Sequence, residues 1–456
     1  MSSILHIKPD DADTSEKRAK YTVTVIDCGH TGVLYSCLFA DAGFKVICAD
    51  SDQTLVDLLA KGKAPLAPHE TEVRLKNHVK TGRLTATSDI KAAVSQSSII
   101  IINTQVAVGQ KRKPDYSNLE KTCKLVGANI RQDSLVIVTS TVGMGIVEGI
   151  LWKILEDASG FKIGSDLGLA YSPTRISQGQ TPETISSYEQ IVAAPDKTSL
   201  DAASTVLGTV MKSPMRKTLS VKTAEIAVLF DEAQKDVKNA LANEFAIFCE
   251  KAGLDFLETQ KLLMTSASAT LPSQASADGN TEEASYILLE DAENLNAKLR
   301  IVAVARETNR EMAKHVANLT RDALRDCGKT LRRTRICLLG ISQTPNVRSS
   351  PKRLTKELVK ILEARGAKVS VYDPYFSHEL SEAQHHLKKS LTEALEGADC
   401  IVLVTPHDQF KRLSQKLKVV MKMPAAIIDL EGVFEPDKIE KEGFTYRGLG
   451  RGVQPK

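Results

Sequence analysis

No stretch of apolar residues in this chain is as long as a membrane span, and its start lacks the apolar core of a signal peptide. Net charge is also small. A formal charge of +4 on 456 residues attracts nucleic acid or an anionic membrane only weakly. These features argue against membrane and nucleic-acid partners. We therefore expect a cytoplasmic protein whose residues 1–18 form a flexible, solvated tail.

The chain also lacks cysteines and histidines at the spacing that is typical of metal ligands. The eight cysteines are scattered without a C-x-x-C pair. Buried free thiols in a reducing compartment explain them better than disulfides or zinc. His385 and His386 have no carboxylate or cysteine at metal spacing, so we expect them to face solvent and expect no metal site. The basic run QKRKP at 110–114 lacks aromatic stacking residues, which is typical of a solvated loop.

What the chain does contain is a repeated alternation of apolar runs and helical segments. Its 456 residues, 42% hydrophobic and 25% charged, are enough for two or three domains with substantial cores. The alternation predicts an α/β protein with two Rossmann-like, doubly wound parallel-sheet domains. The β-type runs of the first domain are 21–26, 45–49, 98–104 and 134–143, and those of the second are 335–342, 368–376, 398–410 and 425–434.

A helical segment separates these two patterns. Apolar residues at helical spacing predict a long helix from Thr223 to Gly253 and a second from about Ile287 to Cys327. The polar, irregular stretch 271–286 lies before the second helix, where a loop facing two α/β lobes would meet a ligand. We expect domains at 19–216, 217–330 and 331–456, with the helical one in the middle joining the other two.

The first strand–turn–helix unit has the order of a dinucleotide-binding fold. Gly29 and Gly32 occupy the turn of DCGHTG, where the backbone approaches a pyrophosphate and a helix packs on a strand. Asp50 follows the second β-type run, where a carboxylate accepts hydrogen bonds from the adenosine ribose. Strand, glycine turn, helix and acid together predict an NAD site. The alternative is that the two glycines only form a tight turn.

Asp27 breaks this pattern, because it stands where the first glycine of G-x-G-x-x-G is usual. Its carboxylate would face a negative pyrophosphate. At ~5 Å and an effective dielectric of about 20, that repulsion is on the order of a few kcal/mol. We therefore expect NAD binding to be weakened by roughly a hundredfold.

Several segments, in order, resemble the UDP-glucose/GDP-mannose dehydrogenase family of NAD-dependent nucleotide-sugar 6-dehydrogenases. They are VTVIDCGHTG, TSTVG at 139–143, AYSPTR at 170–175, ALANE at 240–244, YDPYF at 372–376, IIDLEGVF and the final YRGLGRG. The resemblance implies an NAD lobe, a long-helix dimer core at 217–330 and a UDP-sugar lobe. It also implies two hydride transfers through a cysteine thioester. Thr141 matches the threonine of the family's S-T-V motif.

The family's catalytic positions are replaced in this chain. The cysteine position is Asn280 or Thr281, and the aspartate beyond it aligns with Ala284. Other replaced positions are the lysine, the asparagine and the S-P-E glutamate, here Val228, Glu232 and Thr174. Cys249 and Cys327 lie far along the chain from the cysteine position, in predicted helices.

Arg348 matches the family arginine that contacts the UDP-sugar from a neighbouring subunit, although the segment before it is shorter than in the family. His407 stands at a strand end of the second α/β pattern, where this fold places ligands, and a role in a turn is the more probable one.

Two hypotheses follow. The favoured one is a catalytically silent relative that still binds a nucleotide or nucleotide sugar and acts by regulation or partnership, as a homodimer or with an active paralogue. The other is an active, thiol-free NAD-dependent UDP-sugar 6-dehydrogenase with Glu282 or Glu283 as base. The simpler interpretation of those two glutamates is an acidic first turn of a helix.

Overall fold

A computed structural model describes residues 3–64, 67–109, 111–174, 180–263, 279–349, 351–376 and 386–452. The chain forms two compact units, residues 1–232 with 283–298, and residues 233–282 with 299–456. We call them the first and the second unit. Within the described ranges, none of the helices combines the length and the apolar character that a bilayer crossing requires.

The first unit is built on an eight-stranded sheet. Its strands are β1 (Thr22–Ile26), β2 (Lys45–Ala49), β3 (Leu84–Thr87), β4 (Ile99–Ile102), β7 (Leu135–Val138), β8 (Gly168–Tyr171), β9 (Gln190–Ala193) and β10 (Met215–Thr218). They lie in the order β3-β2-β1-β4-β7-β8-β9-β10. Pairing is parallel from β3 to β8, and β9 meets β8 antiparallel. Chain order reverses between β1 and β4, which is where open α/β sheets bind ligands.

Helices and a small hairpin complete the first unit. The helices are α1 (Ser15–Arg18), α2 (His30–Ala42), α3 (Gln53–Ala60), α4 (His69–Lys80), α5 (Ile90–Gln96), α6 (Ser117–Gly127), α7 (Trp152–Ser159), α8 (Pro182–Ser187) and α9 (Lys197–Gly208). A π-helical turn, Ile146–Leu151, leads into α7, and β5 (Ala107–Val108) pairs with β6 (Pro114–Asp115). The four isoleucines of β4 are fully buried, as expected for a strand covered on both faces.

The N-terminal segment corrects the expectation of a solvated tail at 1–18. Residues 3–18 are folded, with 3-10 turns at Ile4–His6 and Pro9–Asp11 before α1. Ile4 and Ile7 are 1% and 6% exposed and belong to the sheet's hydrophobic core. The charged residues of this segment are typical of a solvated tail. Its few apolar side chains nevertheless pack against the core, and the free energy gained by burying them outweighs the conformational entropy lost on ordering the segment.

The central helices differ from the predicted pair. They are α10 (Val221–Ala252), α11 (Phe256–Leu263), α12 (Gly279–Asn294) and α13 (Arg300–Asp326). Helix α10 ends as predicted, before Gly253 at φ 71°. The second helix is in fact two, since Asn296 adopts φ 54° and the Ala297 N–H bonds to the Ala292 carbonyl, which closes α12 with a Schellman-type turn.

The predicted loop 271–286 is helical from Gly279 onward, and its part before that residue lies outside the described residues. The predicted middle domain 217–330 is divided between the two units rather than forming a third.

The second unit carries a five-stranded, wholly parallel sheet in the order β12-β11-β13-β14-β15. Its strands are β11 (Arg335–Leu339), β12 (Lys368–Tyr372), β13 (Cys400–Leu403), β14 (Ala426–Asp429) and β15 (Thr445–Gly448), and its remaining helices are α14 (Arg353–Ala364), α15 (Leu391–Leu395), α16 (Ser414–Val420) and α17 (Pro436–Lys441). The predicted class, α/β with two parallel-sheet domains, is confirmed. The switch point here lies between β11 and β13.

Candidate functional site

The glycine turn after β1 has the geometry that the sequence predicts. Gly29 is the N-cap of α2, and a Cβ added to it would meet nothing within 4 Å. Gly32 lies in the first turn of α2, where an added Cβ would come within 2.4 Å of the Asp27 carbonyl oxygen. Only glycine therefore permits the close approach of α2 to the end of β1, and the backbone at Gly29 stays open to a ligand.

Asp50 lies beside this turn, at the end of β2. It is 8% exposed, and its Oδ2 accepts a hydrogen bond from the Cys28 N–H at 2.8 Å, while Oδ1 accepts from the Asp52 N–H at 2.9 Å. The carboxylate thus holds the turn against β2, and each oxygen retains a lone pair for a ribose hydroxyl. The structure brings Gly29, Gly32 and Asp50 together, and their contact with a cofactor stays a prediction.

Asp27 adopts a left-handed backbone conformation with φ 64°, the region that favours glycine. The neighbouring β4 supports it, since Asn103 Nδ2 donates to the Asp27 carbonyl at 3.3 Å and the Thr104 hydroxyl donates to Asp27 Oδ2. Burial raises the pKa of the Asp27 carboxyl, the Thr104 hydrogen bond lowers it, and nearby Asp50 raises it further. Asp27 is therefore held in place by a residue that follows β4, which the sequence analysis did not identify.

The loop after β7 contains Thr141, which is half-buried. Three side chains accept the N–H groups of the following residues. The Tyr116 hydroxyl accepts from Gly143 at 3.0 Å and Asp291 Oδ2 accepts from Met144 at 2.8 Å. Glu225 accepts from Gly145 through Oε2 at 2.5 Å and from Val147 through Oε1 at 2.9 Å. The start of the helix after β7 is thus capped by carboxylates of the chain itself.

Glu225 is the most unusual of these groups. It is fully buried, and burial raises its pKa to about 7 despite the two backbone N–H donors, with Glu148 and Asp291 acting in the same direction. Burial also raises the pKa of Asp291. The sequence analysis missed both residues. The available signal was an acid within the apolar run TAEIAV, because a buried carboxylate needs a partner.

In the first unit, the residues that the resemblance places at catalytic positions are mostly buried. Val228 is 1% exposed and Glu232 is 9% exposed, both on α10, and Ala284 of α12 is 1% exposed. The Thr174 hydroxyl donates to the Tyr35 hydroxyl at 3.2 Å. An isopropyl group and a hydroxyl therefore stand at two positions where the resemblance implies a lysine and a glutamate.

In the second unit, Thr281 is 2% exposed, and the side chain of Asn280 lies outside the described residues. The adjacent Glu282 is also buried and forms ion pairs with Arg306 at 3.5 Å and Arg353 at 3.0 Å. Burial raises the Glu282 pKa, which the two arginines lower. The Glu282 carboxylate is thus paired with two arginine side chains, which the sequence analysis did not predict.

A buried polar cluster joins α10 to α13 in the second unit. Arg306 Nη1 lies 2.7 Å from Asp236 Oδ1, and their side chains are 5% and 0% exposed. Asn309 Nδ2 donates to Asp236 Oδ1 at 2.8 Å, and Asn309 Oδ1 accepts from Asn243 Nδ2 at 2.9 Å. Asn243 belongs to the ALANE segment, so one motif of the resemblance is explained by helix packing.

The thiols match the expectation of buried free cysteines, because all eight are buried and unbridged. Cys249 lies in α10, and Cys327 caps α13 with its sulfur 3.2 Å from Thr445 Oγ1. Among the described residues no group of three or more His, Cys, Asp or Glu side chains is arranged to hold a metal ion.

His407 has the turn role that the sequence favoured. It is fully buried, its Nε2 lies 3.0 Å from Asp373 Oδ2, and its Nδ1 accepts the Asn346 N–H at 2.9 Å. Asp373 also accepts from the N–H groups of Ile341 and Ser342. Burial raises the pKa of Asp373, but His407 and the hydrogen bonds from Ser342 outweigh that effect and hold the pKa at about 2. Asp373 therefore closes the loop after β11, as Asp50 does after β1.

The short loop before Arg348 is fastened to the loop after β13. Asn346 and Asp408 exchange two hydrogen bonds of 3.0 and 2.9 Å, and Asn346 adopts φ 61°. Arg348 itself is exposed in the second unit. His407 therefore lies at the switch point between β11 and β13. The contact of Arg348 with a substrate remains a prediction.

Two family models match the chain. Residues 21–209 match the NAD binding domain of the UDP-glucose/GDP-mannose dehydrogenase family, and residues 339–436 match its UDP binding domain. Together they span more than half of the 456 residues.

Relatives match over nearly their whole length. The chain is 26% identical to a UDP-N-acetyl-D-mannosamine dehydrogenase of Pyrococcus horikoshii and 26% identical to a UDP-glucose 6-dehydrogenase of Rhizobium meliloti, covering 94% of this chain and 99% of each relative. The solved structure of the Pyrococcus horikoshii UDP-D-ManNAc dehydrogenase aligns with a TM-score of 0.84 at 25% identity, covering 94% of this chain and 99% of that chain. A UDP-glucose dehydrogenase from Pyrobaculum islandicum, at 19% identity and a TM-score of 0.81, shares the fold.

Proposed function

Because the chain belongs to the UDP-glucose/GDP-mannose dehydrogenase family, we propose that it is a catalytically silent member that binds a nucleotide or nucleotide sugar. The main support for this proposal is the kind of side chain found at the positions that match the family's catalytic residues. Val228 is an apolar, 1% exposed residue where an oxyanion needs a cation, and Glu232 has the wrong charge for that task. A sulfur nucleophile is also missing from the sequence between residues 264 and 285.

Nucleotide binding rests on separate features. The open backbone at Gly29 and the Asp50 carboxylate at the β2 end are the parts that an adenosine diphosphate moiety uses in this fold. We propose that NAD binds there weakly, because Asp27 brings negative charge to the turn. Thr141 and Arg348 are the further contacts that we assign to cofactor and nucleotide sugar, respectively.

The same proposal includes assembly through the central helices. On α10, Leu241, Phe245 and Phe248 follow one another at helical spacing and are 40%, 40% and 67% exposed. Phe248 borders a groove of about 540 Å³ between α10 and α13. An exposed apolar stripe with two phenylalanines is typical of a protein interface. We propose that it pairs two copies of this chain, or this chain and an active relative.

The alternative is an active NAD-dependent UDP-sugar 6-dehydrogenase with a thiol-free site. It is favoured by the names of the relatives, which the chain matches along 99% of their length. Glu282 has the raised pKa of a general base. Its ion pairs with Arg306 and Arg353 count against that role, because a paired carboxylate is a weak proton acceptor.

Incubation of the purified chain with NAD and a panel of UDP-sugars separates the two. We expect no steady NADH production, whereas the Pyrococcus horikoshii relative provides the positive control. NADH production that is abolished in Glu282→Gln and retained in the matched Glu283→Gln would establish the alternative. Calorimetry with NAD, UDP and UDP-sugars tests the binding half, and failure to bind any of them would reduce the protein to an interaction scaffold.

A further inference from the structure

Asp27 places a carboxyl group at the glycine turn. It stands between β1 and the N-terminus of α2, with its backbone at φ 64° and its Oδ2 bonded to Thr104. The open space lies two residues further, at Gly29. An ionised carboxylate here opposes the attraction that the α2 N–H groups and helix dipole exert on a phosphate.

A protonated Asp27 does not oppose phosphate binding. A neutral carboxyl carries no charge against the pyrophosphate, and its O–H is a donor where the ionised form offers only acceptors. The phosphates of a dinucleotide stay ionised at all pH values at which a protein is folded, so the carboxyl is the partner that changes.

We propose that dinucleotide binding in the first unit is coupled to protonation of Asp27, so that the turn accepts a pyrophosphate when the carboxyl is neutral and rejects it when ionised. This inference rests on the proposed nucleotide binding and names the residue that regulates it. The raised pKa of Asp27, caused mainly by burial, brings the neutral form closer to physiological pH.

Other titratable groups surround the turn. Asp50 faces Asp27 from the end of β2 and favours the neutral form of Asp27. Cys28 is buried beside it, and burial raises the pKa of that thiol, so it stays uncharged. The side of β4 contributes the neutral Asn103 and Thr104. His30 lies in the first turn of α2 and is present in both proteins that the test compares.

The test compares the wild type with Asp27→Asn, which removes the charge and retains a residue that tolerates positive φ. Calorimetry gives the Kd for NAD from about pH 5 to about pH 8. For the wild type we expect the Kd to rise with pH, by up to tenfold per pH unit above the Asp27 pKa and by about a hundredfold in all. The two proteins differ only at residue 27, so the difference between their two profiles belongs to Asp27.

Two further measurements identify the cause. Adenosine has no phosphate, so its Kd should be the same in wild type and Asp27→Asn at every pH. Thr104→Val removes the hydroxyl that lowers the Asp27 pKa, and should move the pH profile for NAD toward higher pH.

The outcomes are distinct. Parallel NAD profiles for wild type and Asp27→Asn would overturn the coupling while leaving nucleotide binding intact. An equal gain in NAD and adenosine affinity would show that Asp27 does not act through the phosphates, and would overturn it as well. If neither Asp27→Asn nor Asp27→Gly binds NAD at any pH, the proposed nucleotide binding fails, and the coupling with it.

Discussion

At the scale of single residues, two buried acidic side chains hold parts of the chain together. Glu225 caps a backbone turn after β7, and Asp236 pairs with Arg306 inside the helical part of the second unit. Both are costly to disturb, because a buried charge that loses its partner is strongly destabilising.

The Glu225 carboxyl should make stability depend on pH. Its pKa is raised from 4.5 to about 7 on folding, so the folded state holds a proton that the unfolded state has released. The wild type should therefore lose up to about 3 kcal/mol of unfolding free energy from this group as pH rises from about 4.5 to about 7. Glu225→Gln should lack that loss, which urea unfolding at several pH values would measure. Asp57→Asn, at an exposed carboxyl, is the control. Identical slopes for wild type and Glu225→Gln would contradict the prediction.

The Asp236–Arg306 pair should respond differently to single and double substitution. Arg306→Met alone removes the cation that lies 2.7 Å from Asp236, and Asp236→Leu alone leaves Arg306 with the longer 3.5 Å contact to Glu282. Each single substitution should cost about 3–5 kcal/mol. The double variant replaces both charges by apolar groups of similar size, and should recover a large part of that loss. Chemical unfolding of the four proteins gives the coupling energy. Simple additivity of the two single losses would show that the ion pair does not act as a unit.

At the scale of elements, the break between α12 and α13 replaces one long predicted helix. The apolar pattern continues through residues 287–327, so periodicity alone could not locate the break. The turn depends on Asn296, which is exposed and adopts φ 54°. Asparagine is one of the few residues that end a helix in this conformation.

Asn296 substitutions should therefore follow backbone preference and not size. Asn296→Gly should be neutral or slightly stabilising, whereas Asn296→Val should cost about 1–2 kcal/mol because a β-branched residue resists positive φ. Thermal unfolding followed by circular dichroism measures both. Asn294→Val, inside the last turn of α12, is the matched control and should lose less. Equal losses at the two positions would rule out a special role for the Asn296 conformation.

At the scale of the whole molecule, the exposed stripe Leu241, Phe245 and Phe248 should hold two chains together. Light scattering of the wild type should give about twice the 49.6 kDa chain mass. Phe245→Glu combined with Phe248→Glu should shift the protein to monomer, because an interface that buries these aromatics cannot accept two charges. Val419→Glu, at a valine that is 86% exposed on α16, should leave the mass unchanged. A monomeric wild type would remove the basis for assembly through α10.

Local pattern was enough to predict four of the eight strands of the first sheet and four of the five strands of the second. The strand Lys45–Ala49 and the end of α10 at Ala252 agree with the predictions to within a residue, because apolar alternation and a glycine stop act between near neighbours. The glycine turn and Asp50 were also found from the sequence, since a strand, a turn and a helix placed in succession must bring the ends of β1 and β2 together.

The sequence by itself determined the family and the two parallel sheets, because these depend on residue type and local order, and it predicts which reacting groups are replaced. Only the tertiary structure decided that Thr104 supports Asp27 across 77 positions, that the first residues cover the core, and that Asp373 engages His407. Such contacts join residues that are far apart in the sequence. A buried donor must find an acceptor and an apolar face must be covered, but only the folded chain determines which residues lie close enough to do so.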